Sequence, residues 1–328
     1  MKKMYFWMLA LLMVGGMTCV SCDDDDEKDN GGGDSKNELV GVWASTDNPI
    51  PIDYDDDEGG PKAKQTRLIL PSEEATHEDG YMIFREDGTF YGLDVYFKQN
   101  GSKMVYLTFD MNKGTYKVKN GKITVTYDDD SDPEDGPLNV KYSIKSGKLT
   151  IYDDKGNGYT FKRVEESEVK EYLDQYEKDE EAKKLLATGY WAYAENPYKD
   201  SDGDYWRYFY EYNLNGSCQY YEFYFGNSTA SCKSGVTYGG HWDIIGGYYY
   251  ESYACYDGDG DFFGYDTNVF TYSFYTNEQI GRVYLTLSNG ENTWRYFQVS
   301  QSYIDDYLPY LNNDNIRAPM RSFAPHCK

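Results

Sequence analysis

The stretch Gly41-x-Trp43-Ala44-x-x-Asp47-Asn48-Pro49 returns 148 residues later as Gly189-x-Trp191-Ala192-x-x-Glu195-Asn196-Pro197. Three more anchors follow in the same order. Phe84 to Phe90 (FREDGTF) matches Tyr212 to Cys218 (YNLNGSC) at an offset of 128, and Gly114 to Tyr127 matches Gly240 to Tyr253 at 126. Val164-x-x-Ser167 with Tyr172-Leu173 then matches Val299-x-x-Ser302 with Tyr307-Leu308 at 135. The 328 residues therefore hold two copies of one fold, and an architecture that suits one copy must suit both. The fall in offset from 148 to 128 gives the first copy 20 extra residues in its first loop, between Pro49 and Gly80.

Each copy reads as an antiparallel meander. Asn120-Gly121 and Gly246-Gly247 are hairpin turns, because both central residues of such a turn take positive φ. Runs such as Lys122 to Tyr127 (KITVTY) and Val283 to Leu287 (VYLTL) are rich in β-branched and aromatic residues. Eight or nine strands are expected over 39–164 and again over 188–300. A helix over 165–187 joins the copies, with Ser167 as N-cap and Val169, Leu173 and Tyr176 at helical spacing. The C-terminal stretch 301–328 is expected to hold a short helix from Ser302, broken by Pro309, and an irregular tail from Asn312.

A meander that opens on Gly-x-Trp and ends in a helix resembles the lipocalin and calycin superfamily, in particular the lipocalin-like domains of Bacteroidetes lipoproteins. The resemblance covers 39–176 and 187–310. It implies an all-β chain of two tandem antiparallel meander barrels, each followed by a helix. It also implies that Gly41-x-Trp43 and Gly189-x-Trp191 close the barrel bases and that the long first loop lids the first barrel. The basic residue that the family often packs over this Trp from the last strand has no shared counterpart, since Arg163 and Arg295 do not align with each other. A β-sandwich is the alternative. Closure has a physical advantage, because it removes the exposed strand edges that invite aggregation.

At the N-terminus, Lys2 and Lys3, an apolar run from Met4 to Val14, and Gly15-Gly16 predict a secretory signal over 1–21, too short to span a membrane. Cys19-Val20-Ser21-Cys22 resembles a bacterial lipobox, although Cys19 stands where that pattern usually has Leu or Val. The resemblance implies cleavage before Cys22 and lipidation of its thiol. Asp23 to Glu27 resembles the acidic export signal that follows the lipidated Cys of Bacteroidetes surface lipoproteins. Residues 22–38 are then a flexible acidic tether with a root-mean-square span of roughly 20 Å. The implied location is the outer membrane, lipid-anchored and facing outward. With 32 basic and 56 acidic residues the net charge is -24, which argues against a nucleic-acid partner.

Tyrosine is the most unusual component: of 37, 10 lie between Leu39 and Val164 and 21 between Thr188 and Ser300, so the second copy is twice as rich. Trp206, Tyr208, Tyr210 and Tyr212 fall on one strand face, and Tyr205, Arg207, Phe209 and Glu211 on the other. A flat apolar ring with a polar tip suits stacking on a sugar or an amphipathic molecule. Trp206, Tyr208, Tyr210, Tyr224, Trp242 and Tyr249 are accordingly the candidate ligand-binding residues. The plainer account of any one of them is wall packing, since tyrosine is an ordinary strand former.

Other chemistries are poorly represented. Asp200, Asp202, Asp204 and Glu211 imitate a calcium loop, but Tyr205 occupies its obligatory Gly position, and Asp257 to Asp261 lacks both the Gly and a twelfth-place acid. Both read as solvated hairpin loops, and no metal or cofactor is expected. Cys218, Cys232, Cys255 and Cys327 permit three disulfide pairings or free thiols. The three histidines, His77, His241 and His326, form no triad, and no phosphate loop, G-x-S-x-G or H-E-x-x-H is present. A carboxylate pair hidden among the acids is the weakest alternative. The expectation is a non-enzymatic surface lipoprotein that binds a small amphipathic or carbohydrate ligand through aromatic residues of the second copy. The alternative is a structural or protein-interaction module with filled barrels.

Overall fold

The computed structural model describes residues 36–47, 49–51, 75–128, 137–153, 156–256 and 262–311. The signal 1–21, Cys22, most of the tether, most of the long first loop, Asp257 to Asp261, and the tail with His326 and Cys327 lie outside these residues. The chain divides into two compact units between Leu173 and Asp174.

In the first unit a one-turn helix α1 (Lys36–Leu39) leads into β1 (Gly41–Ser45), β2 (Ile50–Pro51), β3 (His77–Phe84) and β4 (Thr89–Asn100). β5 (Lys103–Lys119), β6 (Lys122–Tyr127), β7 (Leu138–Lys145), β8 (Lys148–Tyr152) and β9 (Gly158–Val164) complete it. From β3 onward, neighbours in the chain are neighbours in the sheet, and β1 pairs antiparallel with both β9 and β3. Eight strands therefore close into a barrel. The short β2 continues the line of β1 along β3, facing His77 and Glu78 where β1 faces Tyr81 to Phe84. Ring closure overturns the β-sandwich alternative, in which two separate sheets would face each other. Asn120 and Gly121 take φ of 53° and 67°, as the tight turn requires.

The base of this barrel is sealed by Trp43, which is fully buried and donates its indole N–H to the Leu39 carbonyl at 2.7 Å. Arg163, directly opposite on β9, lays its guanidinium 4.5 Å from the Trp43 ring centre and donates to the carbonyls of Val40 and Glu38. Gly41 is required here: its φ is 137°, and an added Cβ would lie 2.5 Å from the Arg163 Nη1. Arg163 is thus the basic residue that the sequence comparison found unmatched. Its counterpart is Gln298, which faces Trp191 and donates to the Thr188 carbonyl at 2.6 Å; Arg295 is on the same strand but faces Thr286.

The linking segment starts with a 3-10 turn at Glu166–Glu168 and continues as α2 (Lys170–Leu186). Ser167 sits inside that turn and does not cap the helix, a correction to the sequence reading. Tyr172 packs on Phe109 of the first barrel. Within the second unit, Ala182 and Leu186 are buried, Asp179 accepts from the Tyr272 hydroxyl at 2.7 Å and the Gly247 amide at 3.0 Å, and Lys183 pairs with Asp243 at 2.9 Å.

The second unit repeats the topology. Its strands are β10 (Tyr190–Tyr193), β11 (Tyr198–Lys199), β12 (Tyr205–Tyr212), β13 (Ser217–Gly226), β14 (Ser234–Ile245), β15 (Tyr248–Tyr256), β16 (Phe262–Asn277), β17 (Arg282–Ser288) and β18 (Thr293–Val299). β10 pairs with both β18 and β12, so this ring also closes. The chain then forms α3 (Gln301–Asp305) and a 3-10 turn, Leu308–Tyr310, that contains Pro309. Ile304 and Tyr307 of this segment cover the outward rings of Phe209 and Phe223. On β12 and β13 the second copy is aromatic on both faces because one face fills the barrel and the other carries the C-terminal segment.

Truncating Trp43 to Ala is expected to remove roughly 3 to 5 kcal/mol of stability. Arg163→Gln, which gives the first barrel the closure of the second, is expected to cost about 1 kcal/mol. Thermal melts followed by circular dichroism should rank the variants in that order.

Candidate functional site

All six candidate residues lie on the inner face of the second barrel. Their depth separates them into two groups. Tyr208, Tyr210, Trp242 and Tyr249 are between 0% and 9% exposed and belong to the barrel core with Trp191, Tyr212 and Tyr220. Tyr210 lies 4.6 Å from Tyr220 and 5.3 Å from Tyr296 between ring centres, while Tyr212 meets Trp242 edge-on at 5.2 Å. These rings are the filling of the barrel.

Trp206 and Tyr224, half-buried, stand opposite each other on β12 and β13 at the end away from Trp191, with ring centres 4.8 Å apart. Both polar tips are fixed by the preceding loop. The Trp206 indole donates to Asp200 Oδ2 and the Tyr224 hydroxyl to Asp204 Oδ2, each at 2.8 Å. Asp200 Oδ1 meanwhile accepts from the amides of Asp202 and Asp204 at 3.0 and 2.9 Å. The Trp206 indole and these amides hold the Asp200 carboxyl below the usual carboxylate range. The acids that imitate a calcium loop therefore brace two aromatic rings. From Trp206 a run of near-parallel rings leads inward through Tyr208 and Tyr220, at interplanar angles of 7° and 6°.

Two interior carboxylic acids went unnoticed in the sequence because alternation hid them among aromatic strands. Glu222 accepts from Tyr220, and Glu251 accepts from Tyr249 at 2.8 Å and Tyr253 at 3.3 Å. Tyr249 and Tyr212 hydroxyls are 3.1 Å apart. The Tyr249 hydroxyl, whose single proton is directed to Glu251 or to Tyr212, is the donor side of both contacts. Burial pushes the Glu222 carboxyl up to about 7, against the pull of the Tyr220 and Tyr238 hydroxyls.

The first barrel differs at the same positions. At the offset of 128, Gly80 and Gly92 stand where Tyr208 and Tyr220 fill the second barrel, and Glu78 stands for Trp206. The acid Asp94 matches Glu222; burial, with Glu78 and Asp110 nearby, holds it well above the usual carboxylate range. The aromatic site is thus confined to the second copy. Of the other candidates, Cys218 and Cys232 are free buried thiols, and His241 is an exposed strand residue opposite Ser217 and Ser252. Among the described residues no three His, Cys, Asp or Glu side chains are grouped to hold a metal ion, and no helix is long and apolar enough to cross a membrane.

Because the folded state holds Glu222 neutral, the stability it permits is complete below pH 4.5, the ordinary value, and is lost as pH rises through about 7. Between about pH 5 and pH 9 the native chain is expected to lose on the order of 3 kcal/mol relative to Glu222→Gln. Urea unfolding of both at each pH measures the difference.

No protein-family model matches the chain, and no curated protein matches it. Among solved structures, a porin-like protein from Bacteroides uniformis aligns over 68% of this chain and 89% of its own, at 9% identity and a TM-score of 0.12. A likeness that weak carries no inference about fold or function.

Proposed function

We propose that the protein is a lipid-anchored, outward-facing lipoprotein of the outer membrane whose second barrel, lipocalin-like in design, holds a small carbohydrate or amphipathic ligand non-covalently at its open end. The observation that carries this reading is the braced pair of Trp206 and Tyr224. Two half-exposed rings with immobilised tips lose little conformational freedom when a ligand stacks on them. Tyr198 and Tyr238, also half-buried, extend the rim, and the buried Tyr208, Tyr210, Trp242 and Tyr249 form its floor and support. The lipobox-like Cys19 to Cys22 and the acids after it support the anchor. The first barrel has an apolar core and exposed lysines on its outer wall, the reverse of a membrane-spanning barrel.

A second reading, a protein-interaction module, is favoured by the filled interior and by the β4–β5 hairpin, where Met104, Val105 and Tyr106 are 39%, 47% and 44% exposed. Fluorescence titration against a panel of glycans and lipids separates the two. Saturable quenching that weakens at least about tenfold in Trp206→Ala is expected, since a stacked ring contributes on the order of 1 to 3 kcal/mol. A flat response across the panel selects the interaction module. For the anchor, Cys22→Ser is expected to abolish labelling of the protein by radioactive palmitate.

A further inference from the structure

The outer wall of β5 to β9 breaks with the charge of the chain. From Lys113 to the end of β5, and throughout β6, β7, β8 and β9, there is no Asp or Glu, although the chain has 56 acidic residues. Ile123, Val125, Val140, Leu149 and Ile151 point into the core, so alternation turns Lys119, Lys122, Lys141, Lys145, Lys148 and Lys162 outward, and all six are exposed. Their register sets like charges directly opposite one another: Lys119 faces Lys122, Lys122 faces Lys141, Lys145 faces Lys148, and Lys148 faces Lys162. Such pairs destabilise a sheet. Among the described residues none of the six is in an ion pair.

The position of the wall says what offsets that repulsion. In an up-and-down ring, the turns after Lys119 and Lys145 lie at the end where β1 begins, the end reached by α1. Of the acids at this end, Glu86, Asp87 and Glu166 gather at the β3–β4 turn, where Arg85 binds Glu166 at 2.8 Å, and Glu38, Glu165 and Glu168 lie on α1 and just after β9. Lys36 stands only 14 residues after Cys22, a reach of at most about 50 Å fully extended and roughly 20 Å on average. We propose that the lysine wall of β5 to β9 docks against an anionic lipid surface, the membrane that holds the N-terminal anchor. The proposal rests on the reading of Cys22 as lipidated. Attraction of this kind acts within a Debye length, about 8 Å at physiological salt, so a tether that holds the wall near the surface strengthens it. The acidic remainder of the chain is repelled by the same surface, which gives the barrel one preferred orientation.

The test uses the lipidated full chain on phosphatidylcholine vesicles with and without about one-third phosphatidylglycerol. Flotation with the neutral vesicles reports the acyl anchor alone, so its failure removes the anchor and leaves the wall to be judged by flotation with anionic vesicles. Labelling with an amine-reactive reagent, read by mass spectrometry, reports the wall. Lys119, Lys122 and Lys148 are expected to react roughly fivefold more slowly on anionic vesicles, with Lys199 unchanged and the protection lost near 1 M salt, where the Debye length is about 3 Å. In a Lys119→Glu, Lys122→Glu, Lys148→Glu variant, Lys145 and Lys162 should lose their protection as well. Equal labelling on both vesicles overturns the proposal. So does protection seen in cells but not on anionic vesicles, which would identify an acidic protein as the occupant.

Discussion

Everything else in each unit depends on one strand having two partners. β1 hydrogen-bonds β9 on one side and β3 on the other, and β10 does the same with β18 and β12. A strand so placed has no free edge, and a sheet that returns to it has an inside. The Gly-x-Trp motif is the local chemistry of that closure. The glycine lets the chain turn in under the base with its positive φ, and the tryptophan fills the base while its N–H is satisfied by the preceding helix.

Once closed, the two rings are filled by different means. The first packs Ile123, Val125, Leu149 and Ile151 around Phe84, Phe90 and Tyr116, with acids above them. The second is filled almost throughout by aromatic rings, and the hydroxyls of several find Glu222 and Glu251. A buried carboxyl is costly in an apolar core, and the tyrosine hydroxyls that donate to it offset part of that cost. The bracing of Trp206 and Tyr224 by Asp200 and Asp204 sets ring donors against carboxyl oxygens at the rim as well, where the Trp206 indole and backbone amides favour the ionised form of Asp200.

The duplication, the meander and the tight turns were legible because each depends on short-range chemistry: Asn120-Gly121 needs two positive φ values, and repeated anchors need only order. The face of each aromatic residue was legible too, since alternation has a period of two. Depth was not. Trp206 and Tyr208 share a face and differ only in height along the barrel axis, which no periodicity encodes. Arg163 was overlooked because it was compared with Arg295 by residue type. The offset of 135 that aligns Val164 with Val299 aligns Arg163 with Gln298. Ser167 had the composition of a cap, but the chain makes a 3-10 turn there and buries Val169 before α2 begins.

The contrast between the fillings has a consequence for how the two halves can drift apart. Aliphatic side chains in the first ring exchange for one another with only a change of volume, and neighbours can shift to compensate. In the second ring, Tyr212, Tyr249 and Tyr253 share the Glu251 network, so losing one hydroxyl leaves another polar group unpaired in a dry interior. Substitutions there must arrive together or be lost. Two copies that began as equals would accumulate change at unequal rates, the aliphatic one wandering through sequence space while the tyrosine one stays close to where it started.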